Sequence, residues 1–224
     1  MDWNPIWLSL KLALVTTVIL LVLGLPIAYW LSKKSSFLKL VLEALFTMPL
    51  VLPPSVLGFY LLLAFNPGST LGKFFQDTFG FQLVFSFPGL IVASVIYSLP
   101  FMIGPVKAAF SHLPRSISQA SFTMGKSETQ TFFSILLPNI RYSLLTATVI
   151  TFAHTLGEFG VVLMIGGNIP GVTKTASIAI YDAVEGMDYR SAGNYALLLF
   201  AISFSIIITV FVFNRKSAKA PMEW

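Results

Sequence analysis

The sequence predicts an all-α, polytopic membrane protein with five transmembrane helices, the N-terminus outside and the C-terminus cytoplasmic. Three observations carry this reading. Of 224 residues, 56% are hydrophobic and only 10% are charged, whereas a soluble domain carries about a quarter charged residues. Several apolar runs approach the ~20 residues that a helix needs to cross the hydrocarbon. The runs do not alternate in period two, as the strands of a membrane barrel would. The whole chain, 1–224, reads as a single transmembrane domain without a soluble second domain, a low-complexity linker or obvious equivalent halves.

The first span is expected at about 12–31. Lys11 at its start can extend its ammonium to the interface, and Trp7, Tyr29 and Trp30 sit where aromatic belts form. Pro26 should kink it near its end. The run is too long for a signal-peptide core, Asp2 is acidic where a basic region is needed, and Lys33-Lys34 follow without a small-residue cleavage site. It reads as a retained span. The second span, about 40–65, is interrupted by Pro49, Pro53 and Pro54. Proline removes amide donors, so the freed carbonyls must face protein or a cavity rather than lipid, which points to a path-lining break. In the loop 66–87, the stretch 71–79 can lie flat on the interface, with Phe74 and Phe75 inward and Lys73 and Asp77 outward.

The third span, about 88–106, should be bent at Pro100 and Pro105. A polar loop, 107–141, leads to the fourth span, about 142–165. The loop 166–193 contains Asn168-Ile-Pro-Gly171, Lys174 and a short helix with Asp182 and Glu185. The fifth span is expected at about 195–213, followed by Arg215, Lys216 and Lys219. With an external N-terminus, the inner segments hold Lys33, Lys34, Lys39, Lys107, Arg115, Lys126, Arg141, Arg215, Lys216 and Lys219, against Lys11, Lys73, Lys174 and Arg190 outside. Ten basic residues against four satisfies the positive-inside rule.

Residues 115–138, RSISQASFTMGKSETQTFFSILLP, form the longest polar-rich stretch. Ile117, Ala120, Phe122 and Met124 can form an apolar stripe with Ser118, Gln119 and Ser121 off it. Gly125 suits a left-handed helix end. Ser127 can cap a second helix whose first turn holds Glu128, and which Pro138 ends. Gly125-Lys126-Ser127 looks like the end of a phosphate-binding loop, but Ala120 stands where its first Gly is required and no strand precedes it. The chain has no nucleotide site of its own. The net charge of +5 does not indicate nucleic acid, because the basic residues flank the spans.

Within the fourth span, His154 and Glu158 are spaced to share a helix face, with Gly157 and Gly160 allowing close approach of another backbone. An ionisable residue inside a span is a functional candidate. The pair either lines a path or gate, or makes a structural hydrogen bond between helices. Two ligands on one helix are too few for a metal. With no cysteine, no nucleophile elbow, and His112 far away at the end of the third span, catalysis has no constellation to use.

The loop 115–138 resembles the coupling segment of ABC-importer permeases: E-A-A, three residues, Gly, nine residues, then I-x-L-P. The matching positions are Gln119-Ala120-Ser121, Gly125, Ile135, Leu137 and Pro138, with Gln and Ser departing from the opening letters. The run Leu156-Gly-Glu-Phe-Gly160, with Pro49-Leu-Val-Leu-Pro-Pro54, Leu25-Pro26-x-Ala28 and Asn168 to Thr175, is similar to permeases for molybdate, tungstate, sulfate and thiosulfate. His154 departs from an Arg common at its position. The resemblance implies a cell-membrane subunit that lacks its own cofactor and makes the path with a second copy of itself. The implied partners are two ATPase subunits that use ATP and Mg, and an extracytoplasmic oxyanion-binding protein. The short five-span form favours molybdate; a sulfate importer built from two different permeases is the alternative.

Overall fold

The structure, a computed structural model, describes residues 2–34 and 36–218, excepting the side chains from Phe213 onward. Lys219 therefore lies outside the described residues, as do the side chains of Arg215 and Lys216. The described chain is helical, without strands. Its helices are α1 (Asn4–Ser32), α2 (Phe37–Val51), α3 (Pro54–Phe65), α4 (Thr70–Phe79), α5 (Phe87–His112), α6 (Arg115–Thr123), α7 (Glu128–Thr131), α8 (Leu137–Asn139), α9 (Arg141–Leu156), α10 (Gly160–Gly166), α11 (Ala176–Glu185) and α12 (Tyr189–Ala218); a π-helical turn, Phe132–Leu136, joins α7 to α8.

Three described helices are long and apolar enough to cross a membrane singly: α1, α5, and α12 over Tyr189–Val212. Two bent pairs raise the number to five if each is one span: α2 with α3, turned by 115°, and Glu128–Asn139 with α9, turned by 74°. The first bend has its cause in Leu52-Pro53-Pro54. Pro53 is extended (φ −54°, ψ 138°), as a residue before proline must be, and Pro54 opens α3 at a position where its missing N–H costs nothing.

Several boundaries differ from the sequence reading. α1 continues through Pro26 to Ser32. α5 runs to His112, past the expected end at 106, before Leu113-Pro114 stops it. α12 begins six residues before 195, because Asp188 accepts the Ser191 amide at 3.0 Å and caps a polar first turn. The expected fourth span, 142–165, is not one helix: it stops at Leu156 and restarts at Gly160. On α4, Phe74 is exposed rather than turned inward, while Phe75 is half-buried and packs with Phe79 and Phe81.

α1 and α5 pack along their lengths, and α9 lies across both. One core joins Leu12, Leu61, Phe65, Leu90, Val161 and Ile165; a second joins Leu20, Met102, Val106, Phe110, Leu136 and Ala147. Much of α12 is exposed, including Leu197, Phe200, Phe204 and Phe211. An apolar helix face left uncovered in this way suits lipid, where helix association relies on close packing rather than on the hydrophobic effect.

Candidate functional sites: a proline-glycine cavity and a polar loop

Two sequence-predicted groups, far apart in the chain, come together. The bend of α2 and α3 meets the break between α9 and α10 around a cavity of about 630 Å³ lined by Pro54, Ser55, Tyr97, Ala153, His154, Gly157, Glu158, Phe159 and Gly160. Pro53 is exposed at the bend and Pro49 is buried on α2. A Cβ built on Gly160 would lie 2.7 Å from Pro54 Cβ, and one on Gly58 would lie 2.9 Å from Met164 Cβ. The absence of side chains at these two glycines allows α3 and α10 to approach so closely.

His154 and Glu158 do not form the expected pair on one helix face, because α9 ends at Leu156 and Glu158 follows in irregular backbone. His154 is held by α5 instead. Its Nδ1 is 3.0 Å from Ser98 Oγ, and its ring stacks on Phe101 at 3.9 Å between centroids. Ser98 Oγ also lies 2.9 Å from Thr155 Oγ1, which donates to the Thr151 carbonyl at 2.9 Å. The backbone of Glu158 is tied down: its amide donates to the Thr155 carbonyl at 3.3 Å, and its carbonyl accepts from Ser177 Oγ at 2.6 Å. The residue is 5% exposed, its carboxyl lies beside the Ser94 hydroxyl, and no cation pairs with it among the described residues. The supporting residues Ser94 and Ser98 were not singled out from sequence, although two serines four apart in an apolar run mark one helix face.

The loop 115–138 has the expected helix–turn–helix shape with one face reversed. Ser121 is buried and its Oγ lies 2.8 Å from Thr131 Oγ1, whereas Ala120, Phe122 and Met124 are exposed. The predicted apolar stripe is thus divided: Ile117 is half-buried against the second core, whereas Ala120, Phe122 and Met124 point away from the protein. Gln119 is exposed beside it. α6 ends with the Lys126 amide bonded to the Ser121 carbonyl and the Gly125 amide to the Phe122 carbonyl, around Gly125 at φ +78°; this is a Schellman end. Ser127 and Gln130 then form a reciprocal capping box on α7. Helical structure continues one residue past Pro138 instead of ending there. The π turn immediately before it widens the backbone where the ring would meet a carbonyl of the preceding turn. Ile135 and Leu137 are half-buried and Pro138 is exposed.

The loop rests on the ends of α1 and α5. Phe132 packs on Tyr29 and Phe110, and Lys33 pairs with Glu128. That hydrogen bond holds the Glu128 carboxyl below its ordinary value and raises the Lys33 ammonium above its own. At the opposite end of α1, the loop before α12 is closed by Asn168 and Lys174. Both bond to Asp182, the amide at 2.9 Å and the ammonium at 2.5 Å.

Residues 14–217 match the model of the family described as the binding-protein-dependent transport system inner membrane component. The chain belongs to that family. It is an ABC-importer permease, a non-catalytic membrane subunit whose partner ATPase hydrolyses ATP. It is 44% identical to the molybdenum transport system permease protein ModB of Azotobacter vinelandii, over 97% of this chain and 96% of the relative. It is 30% identical to a probable sulfate transport system permease protein, cysT, of Chlorella vulgaris, over 91% of this chain and 77% of the relative. The permease shares its fold with a chain of the inward-facing MetNI methionine ABC transporter, with a TM-score of 0.71 at 19% identity, covering 95% of this chain and 94% of that one. Its Gly125-Lys126-Ser127 run is accordingly a helix end and a cap, with α6 rather than a strand before it.

Proposed function

We propose that the permease imports a tetrahedral oxyanion, molybdate or tungstate, forming the path as a homodimer and coupling to a separate ATPase through the 119–138 loop. The observation that carries the substrate class is the 44% identity, with nearly full coverage of both chains, to a molybdenum permease. The sulfate relative is less similar and extends beyond the matched region. A sulfate importer made with a second, different permease is the alternative reading.

In this proposal α2 with α3 makes one span and α9 with α10 another, which with α1, α5 and α12 gives five, with the N-terminus outside and the C-terminus in the cytoplasm, at the inner membrane. The basic ends of α1 and α5 and the 115–138 loop then share the cytoplasmic side. The loop presents Gln119, Ala120, Phe122 and Met124 outward, a mixed polar and apolar surface on a rigidly capped turn. It can dock an ATPase and transmit its closure to α5 and α9, which flank it. An extracytoplasmic binding protein delivers the oxyanion to the opposite end. No Lys or Arg lines the proline-glycine cavity. A dianion would therefore be passed rather than held there, leaving selectivity to the binding protein.

The test is to tag the chain, purify it gently from native membranes and count what accompanies it. Two copies of this chain with two ATPase subunits and no second permease, together with binding-protein-dependent molybdate uptake, is the expected result. A different permease in the complex would move the assignment to sulfate.

A further inference from the structure

We propose that Glu158 is a proton-binding site that empties and refills during the transport cycle. Its two carboxyl oxygens are sealed from solvent, and no cation pairs with them among the described residues. The Ser94 hydroxyl beside the carboxyl is a neutral group and supplies no charge. An ionised carboxylate inside a span without a counter-charge is strongly disfavoured, so the acid is neutral in this arrangement.

The titratable groups on the elements around it do not supply a counter-charge. α9 presents His154, whose Nδ1 is already beside Ser98, and α5 presents Tyr97, while α3 and α11 bring only Pro54, Ser55 and Ser177. The ring of Tyr181 on α11 packs on Phe159, but its hydroxyl donates to Glu185. No Lys, Arg or Asp lines the cavity.

Position makes the site reversible. Glu158 sits within the Gly157–Phe159 break, between the end of α9 and the start of α10, and belongs to the wall of a cavity of about 630 Å³. Any movement of α10 away from α5 would bring the carboxyl to that cavity. Its O–H bond then breaks with the electron pair left on the carboxylate, and the proton passes to water; resealing reverses the step. A rising pH thus favours the opened state. The inference rests on membership of the permease family and not on which oxyanion is carried.

Infrared difference spectroscopy on the intact permease–ATPase complex in proteoliposomes tests it, without any substrate. The expected result is a protonated carboxylic C=O band in the resting complex that disappears on trapping with ATP and vanadate, is missing in Glu158→Gln, and is shifted in Glu158→Asp. The ATPase of Glu158→Gln should also lose a pH dependence that the native complex shows. No such band at rest, as when a sodium ion or a partner group neutralises the carboxylate, would overturn the proposal. A band unchanged by trapping would do the same, because the acid would then be permanently buried. Should Glu158→Gln fail to assemble, the native trapping difference and the Glu158→Asp shift still decide.

Discussion

At the scale of single residues, the contact between Gly160 and Pro54 is the tightest constraint on the cavity. A methyl at 160 would lie 2.7 Å from Pro54 Cβ, and both atoms belong to helix starts with little freedom to retreat. Overpacking of this kind costs about 1–3 kcal/mol. Gly160→Ala should therefore lower the melting temperature of the purified complex and reduce transport. Gly104→Ala on α5 has nothing within 4 Å of the new methyl and should leave both nearly unchanged, since a helical Gly→Ala change is neutral or favourable by up to about 1 kcal/mol. Equal loss in both would show that the close approach of α3 and α10 is not what matters. Ser121 shows how a departure from a motif can be locally explained. Where the resembling permeases carry Ala, its buried hydroxyl meets Thr131, which also donates to the Ser127 carbonyl at 2.9 Å. Ser121→Ala should cost only about 1 kcal/mol, because Thr131 keeps one acceptor.

At the scale of elements, Gly125 separates a folding effect from a docking effect. Its φ of +78° is left-handed, and its surroundings are empty. Gly125→Ala should thus cost about 1–2 kcal/mol from strain alone, leaving transport near normal. Gly125→Pro cannot adopt that φ and removes the amide bonded to the Phe122 carbonyl, so it should abolish transport while the spans remain folded. Glutamate at Ala120, exposed beside Phe122, should do the same without touching the turn. Uptake at the native rate in the Ala120→Glu variant would remove the docking role.

The loop's outline was legible because its turn chemistry is local: Gly125, Ser127 and the spacing to Pro138 act within a few residues. Which face turns outward was not, since it depends on Thr131 and on Phe132 packing against Tyr29. The Pro53-Pro54 break was legible for the same local reason. The break at Gly157–Phe159 was not, because the apolar run continues through it and it is occupied by packing against Pro54. An i, i+4 pairing of His154 with Glu158 requires an unbroken helix, which this break removes.

At the scale of the whole molecule, the proposed placement of the two ends rests on charge, and the sequence offers a clean way to test it. The chain contains no cysteine, so one introduced thiol is the only one to label. Met124, 76% exposed on the 115–138 loop, belongs to the end that carries Lys33, Lys34, Lys107 and Arg115. Gly171 lies at the other end of α1, where a cavity joins it to Asp2 and Lys174. With positive charge retained inside, Gly171→Cys should react with a membrane-impermeant maleimide in intact cells. Met124→Cys should react only after the membrane is opened, and should be shielded again when the ATPase is bound. The two substitutions must give opposite answers for the bundle to cross the membrane with these ends on opposite sides. Labelling of both from outside would place the loop beyond reach of any cytoplasmic ATPase, and the inverted pattern would reverse the direction in which the bent spans present their cavity.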